Sequence, residues 1–244
     1  METSVGPMAA DQTKRVLVVT AHPDDVDFGA AGTVANWTDA GIEVAYCIVT
    51  DGDAGGFDPS VARGNIAGIR RAEQIAAAKE LGVDEVHFLG YPDGRLEVSL
   101  ALRRDISREI RRWKPDVVLT QSPQRDFRSV YRSHPDHLAT GEAAICAVYP
   151  DSRNPFVFTE LLEEGFEPHT VRQVWVMSAQ APDRFVDTTQ QFDRKIAALL
   201  RHESQHTDPE GMRGRVRGWN AALAATGGLP EGSLAEAFVV IETS

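Results

Sequence analysis

Cysteine is scarce: Cys47 and Cys146 are the two in 244 residues. Each sits inside an apolar stretch (AYCIV, AAICAVY), without the close spacing of a disulfide framework. A stapled scaffold is excluded, and the pair reads as buried thiols in a reducing compartment. Blocks of basic residues are also missing. With 25 Lys and Arg against 36 Asp and Glu, the formal charge is −11. That excludes nucleic acid and anionic membrane as main partners, because both need a basic footprint. Apolar runs stop at strand size, as in VLVVTA over 16–21, well short of the roughly 20 residues that span a bilayer. Residues 1–12 lack the basic region and apolar core of a secretory signal, so 1–13 reads as a disordered tail and the expected address is cytoplasmic. No Gly/Ser linker, repeat or low-complexity segment divides the rest, and 14–244 is expected to be a single domain. No heptad or exposed apolar stripe speaks for or against a homo-oligomer.

Short apolar runs alternating with helical patterns are what the chain does contain. Val16–Thr20, Val44–Thr50, Val86–Leu89 and Val117–Thr120 read as strands. A small-residue segment through Ala40, a helix from about Arg63 to Leu81 and another over Ser99–Trp113 separate them. Beyond them the pattern predicts a helix over His137–Val148, a strand at Gln173–Ser178, a helix around Thr189–His206 and a last strand at Ala237–Ile241. The strands are continuous apolar runs, as expected when both sheet faces are covered. The expected fold is a single-domain α/β architecture, Rossmann-like, with a mostly parallel sheet and helices on both faces.

Polar residues gather where these strands end, the edge at which open α/β sheets bind ligands. The first strand runs into Ala21-His22-Pro23-Asp24-Asp25 and the second into Thr50-Asp51-Gly52-Asp53; the third leads to Pro92-Asp93 and the fourth towards His134-Pro135-Asp136-His137. The first turn has no G-x-G-x-x-G, and its acidic character would repel a pyrophosphate, which argues against a dinucleotide site. Imidazole and carboxylate instead suit a borderline cation such as zinc held by three protein ligands. His22 and Asp25 are three positions apart, so a tight loop entering a helix can aim both at one ion, with Asp24 beside it as a base. His134 and His137 repeat that spacing, one to ligate and the other to face a substrate.

AHPDD after the first strand, TDGDAGG after the second, Arg70-x-x-Glu73 on a helix, LGYPDG after the third strand and HPDH downstream together resemble the LmbE-like/PIG-L N-deacetylases. The resemblance runs from about Val16 to the end. It implies that His22, Asp25 and His137 bind zinc, or another divalent metal such as Fe2+. It makes Asp24 the general base, and gives His134 the oxyanion and the departing amine, with Asp93 orienting it. Arg70 becomes a substrate contact. The implied reaction removes an acetyl or other acyl group from the amide nitrogen of an amino sugar or glycoconjugate. The family usually has a glutamate after the two aspartates, where this chain has Val26 and then Asp27.

Other readings compete. His202-Glu203-Ser204-Gln205-His206 matches the HExxH pattern of zinc peptidases, but Pro209 follows closely and no third ligand stands at a usual spacing. It also resembles the H-x-S-Q stretch late in the deacetylase family, which would bring His202 to the site rim. Asp53 and Tyr131 are further candidate substrate contacts, each in a loop where turn-forming or solvation explains the residue equally well. Alternative functions are an amidase acting on a thiol conjugate or antibiotic intermediate, and a non-catalytic member that binds a metal or sugar.

Overall fold

The computed structural model describes residues 4–5 and 13–243, so most of the expected tail over 1–13 lies outside the described residues. Eight strands form one sheet: β1 Ser4–Val5, β2 Arg15–Thr20, β3 Glu43–Thr50, β4 Glu85–Tyr91, β5 Val117–Gln121, β6 Gln173–Met177, β7 Arg184–Asp187 and β8 Ala235–Glu242. Their spatial order is β1-β7-β8-β6-β5-β2-β3-β4. Every pairing is parallel except those of β8, which runs against both β6 and β7. The chain builds outwards from β2 to β3 and β4, then returns to place β5 on the other flank of β2. The strand order therefore reverses between β2 and β5, where a crevice opens at their carboxyl ends.

Alternate residues of one strand feed two separate cores, which is why the strands read as unbroken apolar runs. Val16 and Val18 of β2 point into a core with Val34, Trp37, Tyr46 and Trp175. Leu17 and Val19 point into a second core with Leu102, Ile106, Ile110 and Val118. Helices α1 (Asp25–Asp39), α2 (Arg63–Glu80) and α6 (Phe192–Leu200) cover the first face, while α3 (Leu100–Trp113) and α4 (Pro135–Cys146) cover the second. A four-residue α5 (Glu160–Glu163) and α7 (Pro209–Thr226) complete the helices. Cys47 is buried as expected, but Cys146 is half-exposed, its Sγ 3.7 Å from Glu142 Oε1 at the solvent edge of α4.

A buried ion pair ties three of these elements together. Lys195 of α6 places Nζ 2.6 Å from Glu236 Oε1 of β8 and 2.7 Å from the Phe28 carbonyl of α1. Both oxygens of Glu236 accept backbone N–H groups of α1, from Gly32 at 2.9 Å and Thr33 at 2.7 Å.

The last third departs from the sequence expectation. The helix expected over Thr189–His206 is a short turn, then α6, then a break at Arg201, so the HExxH residues lie on or beside a three-residue 3-10 turn and not on an α-helix. β7 and the 18-residue α7 were not foreseen. In α7, Gly211, Gly214 and Gly218 dilute the helical pattern, and only Met212, Val216, Asn220 and Ala224 are buried. Its start was nevertheless written in the chain: the Asp208 side chain accepts the Gly211 N–H and Pro209 takes the first helical position. No helix among the described residues is long and apolar enough to cross a membrane.

Candidate active site at the β2–β5 crevice

The β2–α1 turn carries the first half of the site. Asp24 sits at φ 93°, a left-handed conformation rare outside glycine, and begins α1. This kink turns Asp25 back so that its Oδ2 accepts the His22 N–H at 2.7 Å. Arg70 of α2 fixes the turn: its Nη2 donates to the Pro23 carbonyl and, at 3.0 Å, to Asp24 Oδ2, while Nη1 donates to the Gly52 carbonyl at 3.3 Å. Burial raises the Asp24 carboxyl to about 6, against the pull of Arg70 and with the push of Asp25.

The second half arrives on α4. His134 caps that helix, its Nδ1 accepting the Asp136 N–H at 3.2 Å, and Pro135 occupies the first turn. Gly141 lets α4 lie on the end of β5, since a Cβ there would meet the Gln121 carbonyl at 2.3 Å. A backbone N–H only donates, so the neutral His134 ring carries its proton on Nε2. Burial, followed by repulsion from His22 and His137, holds His134 below its ordinary pKa.

His22 joins the halves. Its Nε2 lies 3.0 Å from Asp93 Oδ1 and 3.3 Å from Asp136 Oδ2. Carboxylates only accept, so Nε2 is the donor and Nδ1 turns a lone pair to the cleft when the ring is neutral. Asp136, fully buried, is held by the N–H groups of Gly94 at 2.7 Å and Leu96 at 3.2 Å. In the cleft, His22 Nδ1 is 3.2 Å from His137 Nε2, His137 Nε2 is 3.0 Å from Asp25 Oδ1, and Asp25 Oδ2 is 3.4 Å from His22 Nδ1. Burial would depress His22 and raise Asp25; instead the carboxylates of Asp136, Asp25 and Asp93 hold His22 well above its usual value, and His137 and His22 hold Asp25 well below. Besides His22/Asp25/His137, two overlapping trios of the described residues have metal-holding spacing, His22/His134/His137 and His22/Asp93/Asp136. In the second, both carboxylates take the donor edge of His22. In the first, the His134 nitrogen left to the cleft is the protonated one.

These groups line an open cleft of about 370 Å³, together with Ala54, Gly55, Gly94 and Gln205. Several expected contacts have other partners. Arg70 is 4% exposed and its guanidinium hydrogen-bonds the turn and Asp24, while the residue also lines the cleft. Asp93 hydrogen-bonds His22 and the Ala54 N–H, not His134. Asp53 accepts from Arg63 Nε at 2.7 Å and from the Asp93 N–H at 2.9 Å, locking two loops beside a neighbouring cavity of about 450 Å³. His202 is fully buried, 2.8 Å from Asp27 Oδ2, and does not reach the rim. The side chain of Tyr131 lies outside the described residues. His206 donates to or accepts nothing in the cleft; its Nε2 is 2.7 Å from the Leu199 carbonyl.

Sequence reasoning did not single out Asp136, Gln74 or Gln205. Asp136 was visible inside HPDH; Gln205 stood in the H-x-S-Q stretch. Gln74 had no signal beyond its helix. Glu73, the partner of Arg70 in R-x-x-E, takes the Ser204 N–H at 2.7 Å and the Ser204 hydroxyl at 2.8 Å, anchoring the loop that bears Gln205. Val26 packs into the first core, and the adjacent Asp27 supplies the buried carboxylate at this turn.

Comparison with known proteins identifies the family. The family model described as GlcNAc-PI de-N-acetylase, PIG-L, matches residues 17–148. The chain is 34% identical over 195 residues to the diacetylchitobiose deacetylase of Thermococcus kodakarensis, covering 80% of this chain and 71% of that one. It is 29% identical over 200 residues to a probable N-acetyl-alpha-D-glucosaminyl L-malate deacetylase 2 of Bacillus anthracis, covering 77% and 86%. Among solved structures, the N,N'-diacetylchitobiose deacetylase from Pyrococcus horikoshii, complexed with its inhibitor MPG, superposes with a TM-score of 0.88 at 31% identity, over 97% of this chain and 86% of that one. These relatives are described as deacetylases, one as a probable one, and the solved Pyrococcus structure shares the fold built above. The chain belongs to the PIG-L family of de-N-acetylases, LmbE-like in fold.

Proposed function

We propose that this protein removes the acetyl group from an N-acetylated amino sugar, with a divalent cation held by His22 Nδ1, Asp25 and His137 Nε2. The observation that carries the reading is the convergence of those donor atoms, 3.0 to 3.4 Å from one another. Neutral imidazoles and a carboxylate are the donor set of zinc, and Fe2+ is the alternative. Asp93 and Asp136 support the assignment from behind, because a ligating histidine ordinarily donates its other N–H to a carboxylate. Such a cation supplies Lewis acidity, polarising an amide carbonyl and acidifying a water.

The protein groups do the proton work. Asp24, raised to about 6 by burial, is a stronger base than an ordinary aspartate and takes the proton of the attacking water. His134, depressed by burial and by its two histidine neighbours, rests as the neutral ring and donates its Nε2–H to the developing oxyanion. The departing nitrogen then receives the proton that Asp24 collected, so water has added across the C–N bond to give acetate and a free amine. This assigns protonation of the amine to Asp24, where the family resemblance had assigned it to His134. The acidic surface and the buried thiol of Cys47 suit a cytoplasmic enzyme that meets its substrate in solution.

Acetate and amine release should be measured over a panel of N-acetylglucosaminides, N,N'-diacetylchitobiose included, with longer N-acyl analogues alongside. Equimolar acetate and amine are expected, abolished by a chelator and restored by Zn2+ or Fe2+. Preference for the longer acyl groups would favour the amidase reading, and turnover undiminished in thoroughly demetallated protein would sink the cation. His22→Ala and His137→Ala should lose bound metal by elemental analysis, while His206→Ala keeps it; the reverse pattern would revive the HExxH reading.

A further inference from the structure

Asp24 carries a side chain in a backbone region that suits glycine, so something outside the turn must hold it there. Its amide is one anchor: the Asp24 N–H donates to Gln74 Oε1 at 2.8 Å. Gln74 is fully buried on α2, and its Nε2 donates to Asp27 Oδ2 at 3.0 Å. The same oxygen faces His202 Nε2 at 2.8 Å. A carboxylate oxygen can only accept, which fixes the sense of the whole chain. His202 and the Gln74 amide both donate to Asp27, leaving Oε1 of Gln74 to take the Asp24 N–H. Flipping that amide would oppose two donors at one end and two acceptors at the other.

Gln74 lies one helical turn beyond Arg70 on the same face of α2. Arg70 holds the carboxylate of Asp24 and Gln74 holds its backbone, so the residue is gripped at two points from one helix. Gln74, Asp27 and His202 are all fully buried, so none of them contacts a substrate. Simple packing does not account for them. Asp27 Oδ1 and His202 Nδ1 are buried without a hydrogen-bond partner among the described residues, a cost that apolar residues would avoid. The polar chain also joins α1, α2 and the loop after α6, whose Gln205 lines the cleft.

We propose that Gln74, Asp27 and His202 are positioning residues that keep the Asp24 backbone in its left-handed conformation and so aim the base at the His22–Asp25–His137 cluster. This rests on Asp24 being the base. The test is a double-mutant cycle on deacetylation, read as kcat and KM with metal content checked. Gln74→Met should lower kcat by about 30-fold, as a misaimed catalytic group does, with KM within about twofold and metal at the wild-type level. In an Asp24→Asn background the same change should cost less than about twofold, because there is no base left to aim. His202→Gln, which keeps a donor towards Asp27, should retain most of the turnover that His202→Leu loses. An equal fold-loss from Gln74→Met in both backgrounds, or none in either, would overturn the positioning role and leave the base intact. Wild-type turnover in Asp24→Asn alone would overturn the base itself. If Gln74→Met does not fold, the two His202 variants decide: equal kcat in both refutes the proposal.

Discussion

Asp24→Asn should lower kcat by about 1,000-fold, the middle of the range for a positioned general base, and leave the metal content unchanged. Asparagine fills the same space, tolerates positive φ and keeps an oxygen for Arg70, but it cannot accept the water proton. The same substitution should act on stability in the opposite direction. In cation-free protein the Asp24 carboxyl titrates near about 6, above the ordinary value of 3.8. A group with a raised folded-state value contributes stability that is complete below about 4 and lost as pH rises through about 6. Cation-free Asp24→Asn should therefore be more stable than wild type above pH 6, by an amount on the order of 3 kcal/mol. Chemical denaturation at pH 5 and pH 8 measures this, and equal midpoints for the two proteins at pH 8 would contradict it. Adding the cation should narrow the difference, because a positive charge beside Asp24 favours its ionised form.

Lys195→Met should destabilise the fold by about 3 kcal/mol, because it leaves Glu236 charged and buried without its cation. In a protein of this length that is a fall of roughly 6 to 12 °C in Tm. Glu236 would still accept the Gly32 and Thr33 N–H groups, which keeps the loss from being larger. Adding Glu236→Gln removes the unpaired charge but sets an amide NH2 against one of the two α1 N–H donors, so it should recover at most about 1 kcal/mol. Thermal unfolding of the single and double variants checks both statements. A double variant less stable than Lys195→Met would show that the negative charge itself is what α1 requires.

The sheet from β2 to β6 was legible because burial on both faces writes itself into each strand as a continuous apolar run, with no tertiary knowledge needed. The His/Asp cluster at the crevice was legible for a related reason. His22 and Asp25, like His134 and His137, are close in sequence, and each pair follows a strand end. What stayed hidden depends on pairings between distant segments. The partners of Arg70 at Pro23 and Asp24 lie 47 and 46 positions away. His202 lies 175 positions from Asp27, and no local pattern connects them. β7 has only four residues, and α7 hid behind glycines although its cap was readable. Asp53 likewise has partners that no local pattern announces: its two oxygens accept from Arg63 and from the Asp93 N–H, 10 and 40 positions away.

Arg70 and Glu73 lie within a single turn of α2, yet they grip opposite walls of the cleft, the HPDD turn and the loop bearing Gln205. The separation of those walls is thus set by the rise of a helix, about 1.5 Å per residue, and not by the conformation of any loop. Phe127, largely exposed, rides on the loop after β5, which this helix does not grip. A change in that loop's sequence therefore leaves the spacing of the two gripped segments to α2 alone.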